Sequence, residues 1–218
     1  MPHLTISAVE SRSADPLREP FLSLKTKVKS GKISFVSIGQ LLLYVFYLTE
    51  EEEFMREIFH RTSIRKFENR PVEQEKILAI LKAAMQSPSA GNQQPWEFYV
   101  VTDRTVLEQL SKISEYSGSV ANAPAAIVNV YQSEGLPFQP VAQMDMSICT
   151  EHEWLTVDEL GLGGVWIGVA PFEDRMKKAK EILRLPEGKE VFSILPFGYP
   201  EKIRKQKDRF HKERIHWI

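Results

Sequence analysis

The chain has 218 residues, 43% hydrophobic and 26% charged, with a formal net charge of -1. Those proportions sit near the globular average, so the chain holds enough apolar material for a sizeable core and is not disordered throughout. The near-neutral balance argues against nucleic acid as a partner, since sequence-independent binding to phosphates needs a basic excess, and the single cysteine, Cys149, excludes an intrachain disulfide or a thiolate cluster and fits a reducing, cytoplasmic setting.

Residues 1–54 differ in texture from the rest of the chain. Met1 to Pro20 shows no periodicity, a basic run with Lys25, Lys27, Lys29 and Lys32 comes next, and Ile33 to Leu48 is apolar but interrupted by Ser34, Ser37, Gly39 and Gln40. That run is shorter than the roughly 20 apolar residues a spanning helix needs, and an acidic block, not a small-residue cleavage site, comes after it. Membrane contact through 33–48 is therefore possible but not favoured. The boundary is placed at 54, and Met55, which itself reads as a possible start, opens the regular part of the chain.

From Met55 a short helix with Ile58 and Phe59 delivers Arg61-Thr62-Ser63-Ile64-Arg65-Lys66, where three cations and two hydroxyls form a cradle suited to a phosphorylated ligand. A solvated basic edge is the plainer reading of the same residues. Glu73 to Gln86 predicts an amphipathic helix with Ile77, Ile80, Leu81 and Ala84 on its inner face. The prolines and glycine of Ser87 to Trp96 require a loop. Trp96 to Thr102 predicts a strand, then a helix capped by Thr102 or Asp103, with Val106, Leu107, Leu110 and Ile113 inward. Ala125 to Tyr131 predicts a second strand, and Val141 to Leu160 a long helix with Met144, Ile148 and Leu155 on one side.

Gly161-Leu162-Gly163-Gly164 marks a passage where backbone approaches something closely, without the spacing of a dinucleotide-binding fingerprint. Val165 to Ala170 predicts a third strand, Glu173 to Leu185 a helix, and Val191 to Leu195 a fourth strand running into Pro196. The tail from Glu201 to Ile218 carries seven Lys or Arg against three Asp or Glu, which suits either a phosphate-facing or a merely solubilising role. Cys149 is expected to pack as a small hydrophobe. The scattered histidines have no metal-binding spacing, so no metal site is expected.

Four motifs in register carry a family resemblance over residues 55–218: Arg61 to Arg65, Pro88 to Trp96, Gly161 to Gly168, and Phe197-Gly198-Tyr199-Pro200, with Lys207-Asp208-Arg209 and the His216-Trp217 ending after them. Together they resemble the FMN-dependent nitroreductases. The resemblance implies an α+β fold with a central, mainly antiparallel sheet flanked by helices, built as an intertwined homodimer with FMN at the subunit interface. It also implies that Arg61, Thr62 and Ser63 meet the FMN phosphate and ribityl chain, while Arg65 reaches the flavin N1 and C2 carbonyl edge. Pro88, Ser89, Ala90 and Asn92 would lie against the partner's flavin ring. Ile167, Gly168 and Val169 would approach flavin N5, and Lys207 and Arg209 would close over the phosphate.

The implied activity is an NAD(P)H-dependent FMN oxidoreductase, with NADH or NADPH as donor, that passes electrons by a ping-pong mechanism to nitroaromatics, quinones or related acceptors. The chemistry belongs to non-covalently bound FMN, so no residue is named as catalytic. A flavin-dependent reductive dehalogenase or a flavin-fragmenting relative is the alternative on the same scaffold, and a non-catalytic FMN-binding regulatory or storage protein is the alternative of another class. The cover over the flavin is expected in Leu136 to Val141.

Overall fold

The computed structural model describes residues 56–218, and the expectations for 33–48 fall outside them. The helices are α1 (Arg56–His60), α2 (Gln74–Met85), α3 (Arg104–Leu110), α4 (Ala142–Glu159) and α5 (Glu173–Leu183). The strands are β1 (Trp96–Val101), β2 (Ala125–Gln132), β3 (Gly163–Gly164), β4 (Ile167–Gly168) and β5 (Lys189–Gly198). They form one antiparallel sheet in the order β1-β2-β5-β3, with β4 also paired to β5. This is the expected α+β architecture of a mainly antiparallel sheet flanked by helices.

Strand β2 lies at the centre and is buried along almost its whole length, which explains its unbroken apolar run. Its side chains alternate between two cores. Val128 and Val130 join Leu107, Leu110, Val165 and Ile194 under α3 and α5. Ala125 and Ile127 join Ile80, Val157, Leu195 and Phe197 under α2 and α4. Helix α3 starts as its sequence predicts, with Asp103 accepting the Val106 N–H at 3.0 Å.

One expectation needs correction. The predicted strand Val165 to Ala170 is instead two short pairings with β5, at Gly163–Gly164 and Ile167–Gly168. Opposite the gap lies Pro196, which has no N–H to continue the ladder. On α4 the side that carries Met144 and Ile148 faces outward. Met144 and Ile148 are exposed, and the buried face carries Asp145, Met146, Cys149, Thr150, Glu153 and Val157. Cys149 is buried, and burial pushes its thiol well above the usual range, which agrees with a packing role.

Candidate functional site

Helix α1 places Arg61 at its C-terminal end, where the Arg61 N–H donates to Glu57 O at 2.8 Å, and His60 Nδ1 lies 2.6 Å from Asp158 on α4. The next residues run along the sheet edge. Ser63 bridges Gly164, and the Ile64 N–H donates to Gly164 O at 2.9 Å. The close approach expected at the glycines is this one, because a Cβ on Gly163 would come within 2.7 Å of Ile64.

The Arg61 guanidinium lies 3.7 Å above the Trp154 ring. Its Nε is buried, 3.5 Å from Glu151 and without a hydrogen bond. Burial pushes the Glu151 carboxyl up, and Arg61 pulls it partly back. Trp154 and Glu151 hold the guanidinium on this edge, and a guanidinium fork is suited to a phosphate. The tail reaches the same place. Gln206 Nε2 donates to Arg61 O at 2.7 Å, which carries the exposed Lys207 and Arg209 past the Arg61 stretch. Thr62 and Ser63 are half-buried beside it.

A cleft of about 540 Å³ opens along this edge, lined by Arg65, Tyr116, Ser119, Trp166, Ile167 and Gly168 among others. It joins Arg65 to the short strand β4, as the sequence suggests. Val169 belongs less well to that group: it is buried, and its N–H donates to Phe192 O at 3.1 Å. Arg175 was not singled out in the sequence; its Nη1 donates to Gly168 O at 3.1 Å, and it lines the same cleft. No local pattern around Arg175 marks this contact, although Gly168 precedes it by only seven residues.

The loop Pro88 to Asn92 stands elsewhere. The buried Asp145 carboxylate accepts the Ala90 N–H at 3.0 Å and the Gln93 amide at 2.6 Å, so the loop is pinned near the start of α4. Trp154, which carries Arg61, lies nine residues further along the same helix, roughly 13 Å at 1.5 Å per residue. Pro88 and Asn92 are exposed, and Ser89 Oγ accepts the Gln94 N–H at 3.0 Å. Within one chain the predicted ligand residues therefore form two groups. Arg61, Thr62, Ser63, Arg65, Ile167 and Gly168 gather at one sheet edge, whereas Pro88, Ser89, Ala90 and Asn92 follow Ser87, whose Oγ lies 2.8 Å from His152 Nδ1 on α4, and run along that helix to Asp145.

Comparison with known proteins decides the lineage. The model of the nitroreductase family matches residues 58–138 and 116–199. The chain belongs to the nitroreductase family. A protein of Archaeoglobus fulgidus named as an NADH dehydrogenase/NAD(P)H nitroreductase is 42% identical to this nitroreductase-family chain over 76% of it and 97% of the relative. An FMN-dependent nitroreductase from Clostridium difficile superposes with a TM-score of 0.68 at 33% identity, covering 72% of this chain and 94% of that one. An iodotyrosine deiodinase from Daphnia pulex is 35% identical, covering 78% of this chain and 66% of its own length. Among the described residues no group of His, Cys, Asp and Glu is arranged to hold a metal ion, and no helix is long and apolar enough to cross a membrane.

Proposed function

We propose that this nitroreductase-family chain is an FMN-dependent NAD(P)H oxidoreductase of the cytoplasm that works as a homodimer and reduces quinones, nitroaromatics or related acceptors by a ping-pong mechanism. The observation that carries the reading is Arg61, a guanidinium stacked on Trp154 and paired with Glu151, on the sheet edge whose Arg65 and β4 line a cleft. Bound FMN would supply the two-electron chemistry at its N5, linking nicotinamide to acceptor. The chain's own residues bind and orient. Arg61, Thr62, Ser63, Lys207 and Arg209 would hold the phosphate, by charge-assisted hydrogen bonds roughly twice as strong as neutral ones. Arg65 would stabilise negative charge on the ring edge by a preorganised cation, and Ile167, Gly168 and Val169 would back the ring.

The loop Pro88 to Asn92 lines no part of its own chain's Arg65 cleft, which fits a place against the partner's, and the outward stripe of Met144 and Ile148 offers an apolar face for a dimer contact. The deiodinase relative favours the dehalogenase as the second reading, which differs in acceptor and not in cofactor.

The test is the cofactor itself. Flavin released by heat from the purified protein should be FMN, and Arg61→Ala should weaken FMN binding by about 1.5–3 kcal/mol, the worth of a charged hydrogen bond. Release of FAD, or unchanged FMN affinity in the variant, contradicts the assignment.

A further inference from the structure

The flavin reading of the Arg65 cleft leaves Arg175, Tyr116 and Ser119 on its wall without a task. Arg175 stands in the first turn of α5, and neighbours fix its guanidinium on several sides. Its Nη1 donates to Gly168 O at 3.1 Å, the Phe172 ring lies 4.0 Å from its Cζ, and the Tyr116 ring lies 5.8 Å away. Among the described residues it pairs with no carboxylate. Asp174, its neighbour in sequence, lies 4.0 Å from Lys178, and Glu115, the carboxylate of the cleft lining, is exposed. Ser119 is 8% exposed, and its Oγ has no hydrogen-bond partner.

A guanidinium that gives one N–H to a carbonyl and stacks on a ring keeps its other donors and its whole charge. Held in place beforehand, it loses little freedom when an anion arrives. The unpaired Ser119 hydroxyl also marks this wall as one that receives a polar ligand, since buried hydroxyls are normally paired. We propose that Arg175 is a specificity-determining residue that selects acceptors carrying a carboxylate on the ring to be reduced. This rests on the reading of the cleft as a flavin site. The choice of the acceptor follows from β4: Arg175 is tied to Gly168, on the strand expected to approach flavin N5, so an anion at Arg175 lies beside the reacting ring. The extra phosphate of NADPH belongs to its adenosine half, at the opposite end of that molecule from the ring that gives hydride. The acceptor is therefore the reactant whose charge Arg175 reads.

The experiment compares FMN-loaded wild type, Arg175→Gln and Arg175→Lys, with a melting curve and an FMN affinity for each. Gln removes the charge but keeps an N–H for Gly168 O, whereas Lys keeps the charge without the fork. The acceptors 4-nitrobenzoate and 4-nitrobenzamide have nearly the same size and differ in charge. Arg175→Gln should raise KM for 4-nitrobenzoate about tenfold with kcat unchanged and leave 4-nitrobenzamide unaffected, and Arg175→Lys should recover part of the loss. A second measurement needs no electron donor: benzoate and benzamide are titrated into the oxidised protein and followed by flavin absorbance. Wild type should bind benzoate about tenfold more tightly than benzamide, and Arg175→Gln should bind the two alike. Equal affinity for both in wild type, or equal changes for both in the variant, overturns the proposal. So does weaker FMN binding in Arg175→Gln, which would make Arg175 a flavin ligand. Failure of the oxidoreductase reading shows separately, as a wild-type flavin that neither NADH nor NADPH bleaches, while the benzoate titration still decides the role of Arg175.

Discussion

Glu153 is the residue whose placement most needs explaining, because it is a carboxyl with no solvent exposure on the inner face of α4. The Asn129 amide donates to its Oε2 at 2.7 Å and to Thr150 and Ser193 at 3.2 and 3.1 Å, while Glu153 Oε1 and Asn129 Oδ1 have no partner. Burial pushes the Glu153 carboxyl from 4.5 to about 8, against the pull of the Asn129 hydrogen bond. The sign comes from proton counts. Between 4.5 and about 8 the unfolded chain has lost this proton and the folded protein keeps it, so stability is full below 4.5 and falls as pH rises. The slope is about 1.4 kcal/mol per pH unit at most. Glu153→Gln should flatten that decline in urea unfolding of the flavin-free protein, and an unchanged slope would show that Glu153 is already ionised when folded. Such a residue is invisible to periodicity, since a charged side chain in a helix reads as solvent-facing until its neighbours are known.

At the scale of elements, helix α4 shows what periodicity reveals and what it hides. Its length and helical character are legible from Val141 to Leu160, but the choice of face is not, because Met144 and Ile148 form as good a stripe as the mixed face that is actually buried. The apolar stripe points outward because the inner face packs on β2 and β5, where Asn129 and Ser193 supply polar partners for Thr150. Replacing Met144 and Ile148 together with lysine should convert the proposed dimer to monomer and release FMN, as light scattering and flavin absorbance would show. A variant that stays dimeric and yellow places the interface elsewhere. The split of the predicted third strand had its cause in plain view at Pro196, yet only the pairing register shows that this proline faces Val165. The basic stretch at Arg61 is plain in the sequence, whereas Gln206 meets Arg61 from 145 residues away and Arg175 meets Gly168 seven residues back, contacts that no local pattern marks.

At the scale of the whole molecule, every predicted ligand residue lies in the part that begins at Met55, and the described residues from 56 onward include the sheet, its cores and the Arg61 edge. We propose that residues 1–54 are dispensable for the flavin chemistry. A truncation starting at Met55 should be soluble, dimeric and yellow, with turnover close to that of the full chain; loss of FMN or aggregation would mean that the earlier residues cover part of the domain. The central claim is that the Arg61 edge holds an FMN that accepts electrons from a nicotinamide and gives them to an acceptor. Anaerobic addition of NADH and, separately, NADPH to the FMN-loaded protein tests it most directly. The account predicts that at least one of the two bleaches the flavin's visible absorption and that a quinone added afterwards restores it, whereas a flavin left oxidised by both nicotinamides would contradict it.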